Sequence, residues 1–256
     1  MFLWVHLSLE YLRRIKAKEP DTFVAKLKAV PPDTKGLYSI LLATISKDQD
    51  PEGQEQIRLI LTLLVYGLHK ELSEVPGFLS AVNYKPGKQW SNLTARDVLD
   101  SCPTIVELTS SSPQKFRLIH FSVKEFIQTL AEYSPETAHA RMAAHCMSYL
   151  NDHQPSSLWI RTPSAPTSWW LDKSKNTFDA YASRSWLVHC AQAGKLRQEA
   201  PLARHLQGFW SAENEFREFP FDRRVKSFTL RYRKSLSQLI DGGYNALVVD
   251  SKPTLF

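Results

Sequence analysis

The sequence predicts a mainly α-helical protein in which a helical segment, a winged helix and a helical tail follow one another. In the N-terminal part, apolar residues recur every three or four positions, as they do on the buried face of a helix. Residues 104–109 and 115–120 are instead rich in β-branched and aromatic residues and flank a short polar segment, which is typical of a β-hairpin. Three helices, a hairpin wing and a further helix together make a winged helix.

These patterns divide the chain into five segments. We expect a helical segment over 1–48, a winged-helix domain over 52–131 and a helix that continues from it over 132–150. A loop over 151–177 and a helical tail over 178–256 follow. The loop is predicted because its prolines, its Ser and Thr residues and its tryptophans fit neither a helical nor a strand period.

The N-terminal segment begins with an amphipathic helix over residues 1–18, whose buried face would carry Phe2, Val5, Leu9 and Leu12. No capping residue precedes this helix, which suggests that the natural chain begins upstream of Met1. Prolines bracket a second helix near 23–30. A third helix carries an apolar stripe of Leu37, Ile40, Leu41, Thr44 and Ile45.

The predicted winged helix opens with the strongest helical pattern in the chain, which is Ile57, Ile60, Leu61, Leu64 and Val65. Ser73 would cap a second helix that runs to about Val82, and Thr94 would cap a third that ends near Cys102. After the hairpin, Ser134 and Pro135 fit the cap and the first position of the helix that continues into the tail.

His120 is the residue of greatest chemical interest. It ends the second predicted strand, just before a helix that Ser122 would open with Glu125 as its capping-box partner. Its ring could therefore reach a helix N-terminus, where unpaired backbone donors and the helix dipole attract anions such as phosphate. Alternatively, His120 shares the inward strand face with Phe116 and Leu118 and forms a hydrogen bond within the core. The residues by themselves leave both alternatives open.

The sequence contains no catalytic motif. Nucleotide hydrolysis needs a glycine loop that ends in Gly-Lys-Ser or Gly-Lys-Thr, but Gly87-Lys88 and Gly194-Lys195 lack the remaining residues of that loop. A GxSxG nucleophile elbow and an HExxH metal motif are also missing. We therefore expect that the chain is not an enzyme and has no catalytic residues. We also expect it to bind no metal and, by itself, no cofactor.

Composition narrows the possible locations and partners. No apolar run reaches the roughly 20 residues that a membrane span needs, and the N-terminus lacks the features of a signal peptide. We expect a soluble cytoplasmic protein without a membrane partner. Cys102, Cys146 and Cys190 are solitary, which predicts buried thiols rather than disulfides or zinc ligands.

The net charge of +6 is concentrated near the C-terminus, where residues 195–234 contain ten Lys or Arg against five Asp or Glu. Its basic patch interleaves with aromatic residues and consists of Arg223, Arg224, Lys226, Arg231, Arg233 and Lys234. A winged-helix DNA-binding protein is the alternative function that this patch suggests. A nucleic-acid partner is nevertheless disfavoured, because the helix that would enter the DNA groove carries a single basic residue, Arg96, beside the acidic Asp97 and Asp100.

Four segments, in order, resemble a known family. They are residues 1–12 (MFLWVHLSLEYL), 36–41 (GLYSIL, with Tyr38 aligned), 118–130 (LIHFSVKEFIQTL) and 181–189 (YASRSWLVH). They are similar to motifs of NACHT proteins in the STAND ATPase class, especially the fungal NLR-like type that often carries ankyrin repeats. The chain departs from the family at residues 70–72, where Lys-Glu-Leu replaces Arg-Pro-Leu, and it shows no ankyrin signature after residue 190.

The resemblance implies a function and a site. It places residues 1–48 at the end of the NACHT-associated helical region and identifies the next domain as the winged helix named after GPI inositol-deacylase. The chain would be a non-catalytic regulatory module that packs in cis against an upstream NACHT domain. ADP or ATP would be bound only with that domain present, and the parent protein would be able to self-associate. By the same resemblance, His120 would contact the diphosphate of bound ADP, with Ser122 and Glu125 beside it. The parent would act in innate-immunity or self/non-self signalling.

Overall fold

The computed structural model describes residues 2–14, 20–47, 49–87, 91–153, 177–199 and 202–205. Over these residues the chain is mainly α-helical and contains one two-stranded antiparallel hairpin. The predicted fold class is therefore confirmed. The helices are α1 (Phe2–Arg14), α2 (Pro20–Lys28), α3 (Thr34–Lys47), α4 (Pro51–Tyr66), α5 (Lys70–Ser73), α6 (Val75–Asn83), α7 (Ala95–Ser101), α8 (Phe121–Gln128), α9 (Pro135–His153) and α10 (Thr177–Gln192). The strands are β1 (Val106–Leu108) and β2 (Phe116–Leu118).

Helix α4 lies at the centre of the core and packs against α6, α8, α9 and β2. The start of α4 is stabilised by Asp50, whose side chain accepts a hydrogen bond from the Gly53 amide. Pro51 occupies the first helical turn, where the N–H that proline lacks would have no partner within the helix. Four of the five residues in its predicted stripe are buried, namely Ile57, Ile60, Leu61 and Val65. The apolar spacing thus identified the inward face of α4.

The predicted buried face of α1 is wrong. Val5 and Leu9 are 42% and 52% exposed, whereas Leu7 is fully buried on a helix that packs against α3. The helix carries a second apolar stripe, which includes Leu3 and Leu7, and tertiary packing selects that stripe. The Trp4 indole N–H fixes the rotation, since it donates to the Pro31 carbonyl at 2.8 Å.

The helix predicted to run to about Val82 is present as α6, but the cap assigned to Ser73 is wrong, because Ser73 ends α5 and the extended Glu74 is the N-cap of α6. Glu74 forms an isolated antiparallel bridge with Lys115, and the Val75 amide donates to the Gln114 carbonyl at 3.1 Å. The hairpin therefore contacts the chain at the start of α6 and separates α6 from α5. Pro76 then lies in the first turn of α6, where proline is tolerated.

The hairpin and the third helix have the predicted positions. Thr94 caps α7 in a capping box with Asp97. Strands β1 and β2 are shorter than the predicted runs, and their register pairs Val106 with Leu118 and Leu108 with Phe116. The buried Phe116 ring packs on Phe78 of α6 at 4.7 Å, which holds the hairpin against the helices.

A short 3-10 helix, Ala131–Tyr133, joins α8 to α9. The Tyr66 hydroxyl of α4 donates to the Tyr133 carbonyl at 2.6 Å, and the Arg58 guanidinium donates to the Glu132 carboxylate at 3.0 Å. Both contacts fix this connection against α4.

Helices α9 and α10 form an antiparallel pair. His139, near the start of α9, meets His189, near the end of α10, and the Tyr149 ring meets Phe178 at the opposite ends. The predicted loop over 151–177 is wrong at both of its ends, because α9 extends to His153 and α10 begins at Thr177, and residues 154–176 lie outside the described residues. The predicted helices at 201–214, apart from 202–205, and at 226–239 also lie outside them, as does the whole basic patch.

Candidate functional site

The candidate site lies at the N-terminus of α8, directly after the hairpin. His120 is the N-cap residue of α8 and has an extended backbone, with φ −154° and ψ 151°. Its Nδ1 atom accepts a hydrogen bond from the Ser122 amide at 3.2 Å. The ring is half-buried and lies at the helix N-terminus, as the sequence suggests.

The predicted capping box between Ser122 and Glu125 is wrong. Helix α8 begins at Phe121, so Ser122 occupies its second position and Glu125 lies exposed on its surface. The physical reason is that the His120 ring reaches the Ser122 amide itself and satisfies one of the first unpaired donors of the helix. Of the three predicted site residues, the structure brings His120 and Ser122 together and leaves Glu125 outside the hydrogen-bonded cluster.

Tyr38 of α3 completes the cluster, and sequence reasoning did not assign it to the site. Its hydroxyl lies 2.9 Å from the Ser122 Oγ, and its buried ring packs on Phe126 at 5.5 Å. Burial raises the pKa of Tyr38, with the bond to Ser122 acting in the opposite direction, so the phenol is neutral at pH 7. The family resemblance aligned Tyr38 but gave no sign that it would contact α8.

The hydrogen bonds determine which atom of the His120 ring carries the proton. Because the Ser122 amide donates to Nδ1, that nitrogen is an acceptor. The Ser122 hydroxyl, 2.7 Å away, then donates to Nδ1 and accepts from Tyr38. The neutral ring consequently carries its proton at Nε2. Among the described residues, no hydrogen-bond partner of this Nε2–H is recorded.

This arrangement can bind an anion better than it can catalyse a reaction. A serine hydroxyl next to a histidine nitrogen is also the geometry of a nucleophile and its base, but the Nδ1 lone pair is shared with a backbone amide. The Nε2–H remains as a donor beside the positive end of α8. The Phe121 ring, 69% exposed, lies against the His120 ring at 4.4 Å between centroids and forms an apolar border.

Other chemistries find no support in the part of the chain that the structure describes. No group of three or more His, Cys, Asp or Glu side chains there could hold a metal ion. None of the described helices is long and apolar enough to cross a membrane. Arg96 of α7 forms an ion pair with Asp100 at 2.9 Å, so this helix presents a paired rather than a free cation to any nucleic acid.

The three cysteines are buried and not in disulfides, as the sequence predicts. Burial raises the pKa of Cys102 and of Cys190 to about 12, and it raises the pKa of Cys146 as well. Thiols of this kind are inert at neutral pH. They belong to the core rather than to a reactive site.

The chain was compared with protein-family models, with curated proteins and with solved structures, and no significant match was found in any of the three comparisons. The similarity to NACHT proteins therefore stays a prediction, which rests on the four motifs and on the placement of His120.

Proposed function

We propose that this chain is a non-catalytic regulatory module of a NACHT-type, NLR-like signalling protein of the cytoplasm. In this proposal α4 to α8 form a winged helix that packs in cis against a nucleotide-binding domain, and the parent protein self-associates when it is activated. His120 contacts the terminal phosphate of bound ADP and stabilises the inactive form. Exchange for ATP removes that contact and releases the module.

The observation that carries the proposal is the Nε2–H donor of His120, which has no hydrogen-bond partner among the described residues. Its Nδ1 is occupied by the Ser122 amide and hydroxyl, so the Nε2–H is the atom that remains for a ligand. Tyr38 and Ser122 orient the ring, and the N-terminus of α8 adds a partial positive charge. An anionic oxygen that contacts the Nε2–H and the N-terminus of α8 would be favoured over a neutral oxygen. Lys124, exposed on the first turns of α8, adds a formal positive charge near the same end.

The first test is genetic. A NACHT partner in cis requires a P-loop coding region upstream of Met1 in the same reading frame. Reading the genomic and transcript sequence there decides the matter, and a transcript that begins at Met1 without such a region would refute the proposal.

The second test uses the protein that includes the nucleotide-binding domain. His120→Asn retains a good N-cap acceptor but removes the imidazole Nε2–H. A hydrogen bond to a charged group contributes about 1.5–3 kcal/mol, so ADP affinity is expected to fall by about tenfold or more. The same substitution at His6, an exposed histidine of α1, is the matched control and leaves the affinity unchanged.

Two results would contradict this role of His120. One is unaltered ADP affinity of the His120→Asn protein. The other is micromolar binding of ADP to the present chain alone, because the proposal gives this chain only one side of the nucleotide site. Calorimetric titration measures both.

A further inference from the structure

A buried chain of hydrogen bonds connects α9, α10 and the turn between α4 and α5. The Leu68 amide of that turn donates to the Tyr181 hydroxyl at 3.3 Å. The same hydroxyl lies 2.7 Å from Nε2 of His189, and Nδ1 of His189 lies 2.7 Å from Nδ1 of His139. His189 is fully buried, and His139 and Tyr181 are 7% and 2% exposed.

The two facing Nδ1 atoms can hold one hydrogen between them. The Tyr181 oxygen accepts from the Leu68 amide, and its own hydrogen can go to Nε2 of His189 or to the Ser185 hydroxyl. When Nε2 accepts this hydrogen, the neutral His189 ring carries its own proton at Nδ1 and donates it to Nδ1 of His139. The pair therefore shares one hydrogen between two facing nitrogens, and both rings are neutral.

A second hydrogen between the two Nδ1 atoms does not fit this geometry, because it places two N–H donors opposite each other at 2.7 Å. Protonation of His189 at Nε2 removes one of the acceptors open to the Tyr181 hydroxyl. Either event also leaves a charged ring in a buried site, which is costly unless the charge is paired.

The groups that face the pair offer a cation no compensation. The Tyr66 ring of α4 contacts His139 edge-on at 5.2 Å, and His69 of the α4–α5 turn contacts Tyr181 at 5.9 Å. Cys146 of α9 is a buried neutral thiol. No carboxylate among the described residues is recorded in hydrogen-bond or ion-pair contact with either ring.

We propose that the His139–His189 pair is an acid-sensitive latch, which holds α10 on α9 while both rings are neutral and favours local release of α10 when the pH falls. In the released state both rings reach solvent and bind protons normally. This device is independent of the nucleotide role proposed for His120.

The pKa directions agree with the geometry. Burial lowers the pKa of His139. Burial, with smaller contributions from His139 and His69, lowers the pKa of His189 to about 3. The packed form consequently stays unprotonated down to pH values at which a free imidazole, with a pKa of about 6.5, is largely charged.

The size of the effect follows from proton linkage. Between pH 7.5 and pH 5.5, a ring that takes up a proton only in the open state raises the opening constant by about tenfold. His189 does so, since its pKa in the packed form is about 3, and His139, whose pKa burial lowers, adds a further factor of at most about ten. The amides of α10 are the ones that should lose protection from hydrogen exchange.

The experiment is hydrogen exchange with mass spectrometry on the full chain at pH 7.5 and pH 5.5, with rates corrected for the intrinsic effect of pH. Protection of the α10 peptide is expected to fall by more than about tenfold, whereas that of the α4 peptide falls much less. His189→Gln should reduce the effect of pH on α10 by about tenfold relative to the wild type. His145→Gln, which alters a histidine of α9 outside the pair whose pKa burial also lowers, should retain a fall in protection of more than about tenfold.

The wild-type protein alone suffices to overturn the proposal. Equal corrected protection of α10 at the two pH values would do so, and so would an equal loss in α4, because the latter means global unfolding. If His189→Gln does not fold, His139→Gln replaces it. A pH effect in that variant as large as in the wild type would likewise exclude the latch.

Discussion

The hydrogen bond between the Ser122 amide and the His120 ring predicts different effects of two substitutions at position 120. His120→Ala removes the N-cap acceptor of α8, which contributes about 1 kcal/mol. The Ser122 hydroxyl also loses its acceptor, and one neutral hydrogen bond contributes about 1 kcal/mol. The free energy of unfolding should therefore fall by about 2 kcal/mol. His120→Asn retains an oxygen acceptor at the cap and should lose no more than about 1 kcal/mol.

Urea denaturation followed by circular dichroism measures both values, with Glu125→Ala as a control on the exposed side of the same helix. The order of stability should be wild type, His120→Asn and then His120→Ala. Equal stabilities of the Asn and Ala proteins would show that the ring does not cap α8. The assignment of the proton to Nε2 would then lose its basis.

Three further predictions concern the core, a cap and a buried histidine. Leu61 is fully buried, so Leu61→Ala should lower the free energy of unfolding by about 2–5 kcal/mol in urea denaturation. Phe121→Ala, at an exposed position, should lower it by at most about 0.5 kcal/mol. Similar losses of stability in the two variants would place Leu61 outside the core. Thr94→Ala should destabilise the protein by about 1 kcal/mol. Hydrogen bonds to Thr94 lower the pKa of Asp97, so this pKa should rise in an NMR titration of the variant. An unchanged pKa of Asp97 would exclude the capping box. Burial lowers the pKa of His145 to about 4, so stability is complete above pH 6.5 and is lost as the pH falls toward 4, by about 2 kcal/mol at pH 5. His145→Gln should remove that part of the loss, and a variant with the wild-type pH dependence would refute it.

The sequence predicted those elements whose apolar pattern admits one solution. Helix α4 has a single stripe, and its inward residues were predicted correctly. Helix α1 has two stripes, and the choice between Leu7 and Val5 depends on α3, which no local pattern encodes. The break at Glu74 depends on the hairpin strand near Lys115, a contact between residues far apart in sequence.

The candidate site was predicted in part for the same reason. His120 and Ser122 are neighbours in sequence, so their meeting at a helix N-terminus could be anticipated. The Ser122–Glu125 spacing also fits a capping box, but His120 provides the cap in its place. Tyr38 lies 84 positions from Ser122, and only the packing of α3 on α8 brings the two hydroxyls together. The histidine pair joins residues 50 positions apart and likewise could not be predicted.

The connection Ala131–Tyr133 determines how freely α8 and α9 can bend relative to each other. A three-residue link between two helices would ordinarily serve as a hinge. Here the Tyr133 carbonyl accepts from Tyr66 and the Glu132 carboxylate accepts from Arg58, so bending at the link must first break contacts with α4. The angle between α8 and α9 is therefore held by α4 rather than by the link itself, and α9 carries that orientation over about 28 Å, at 1.5 Å for each of its 19 residues.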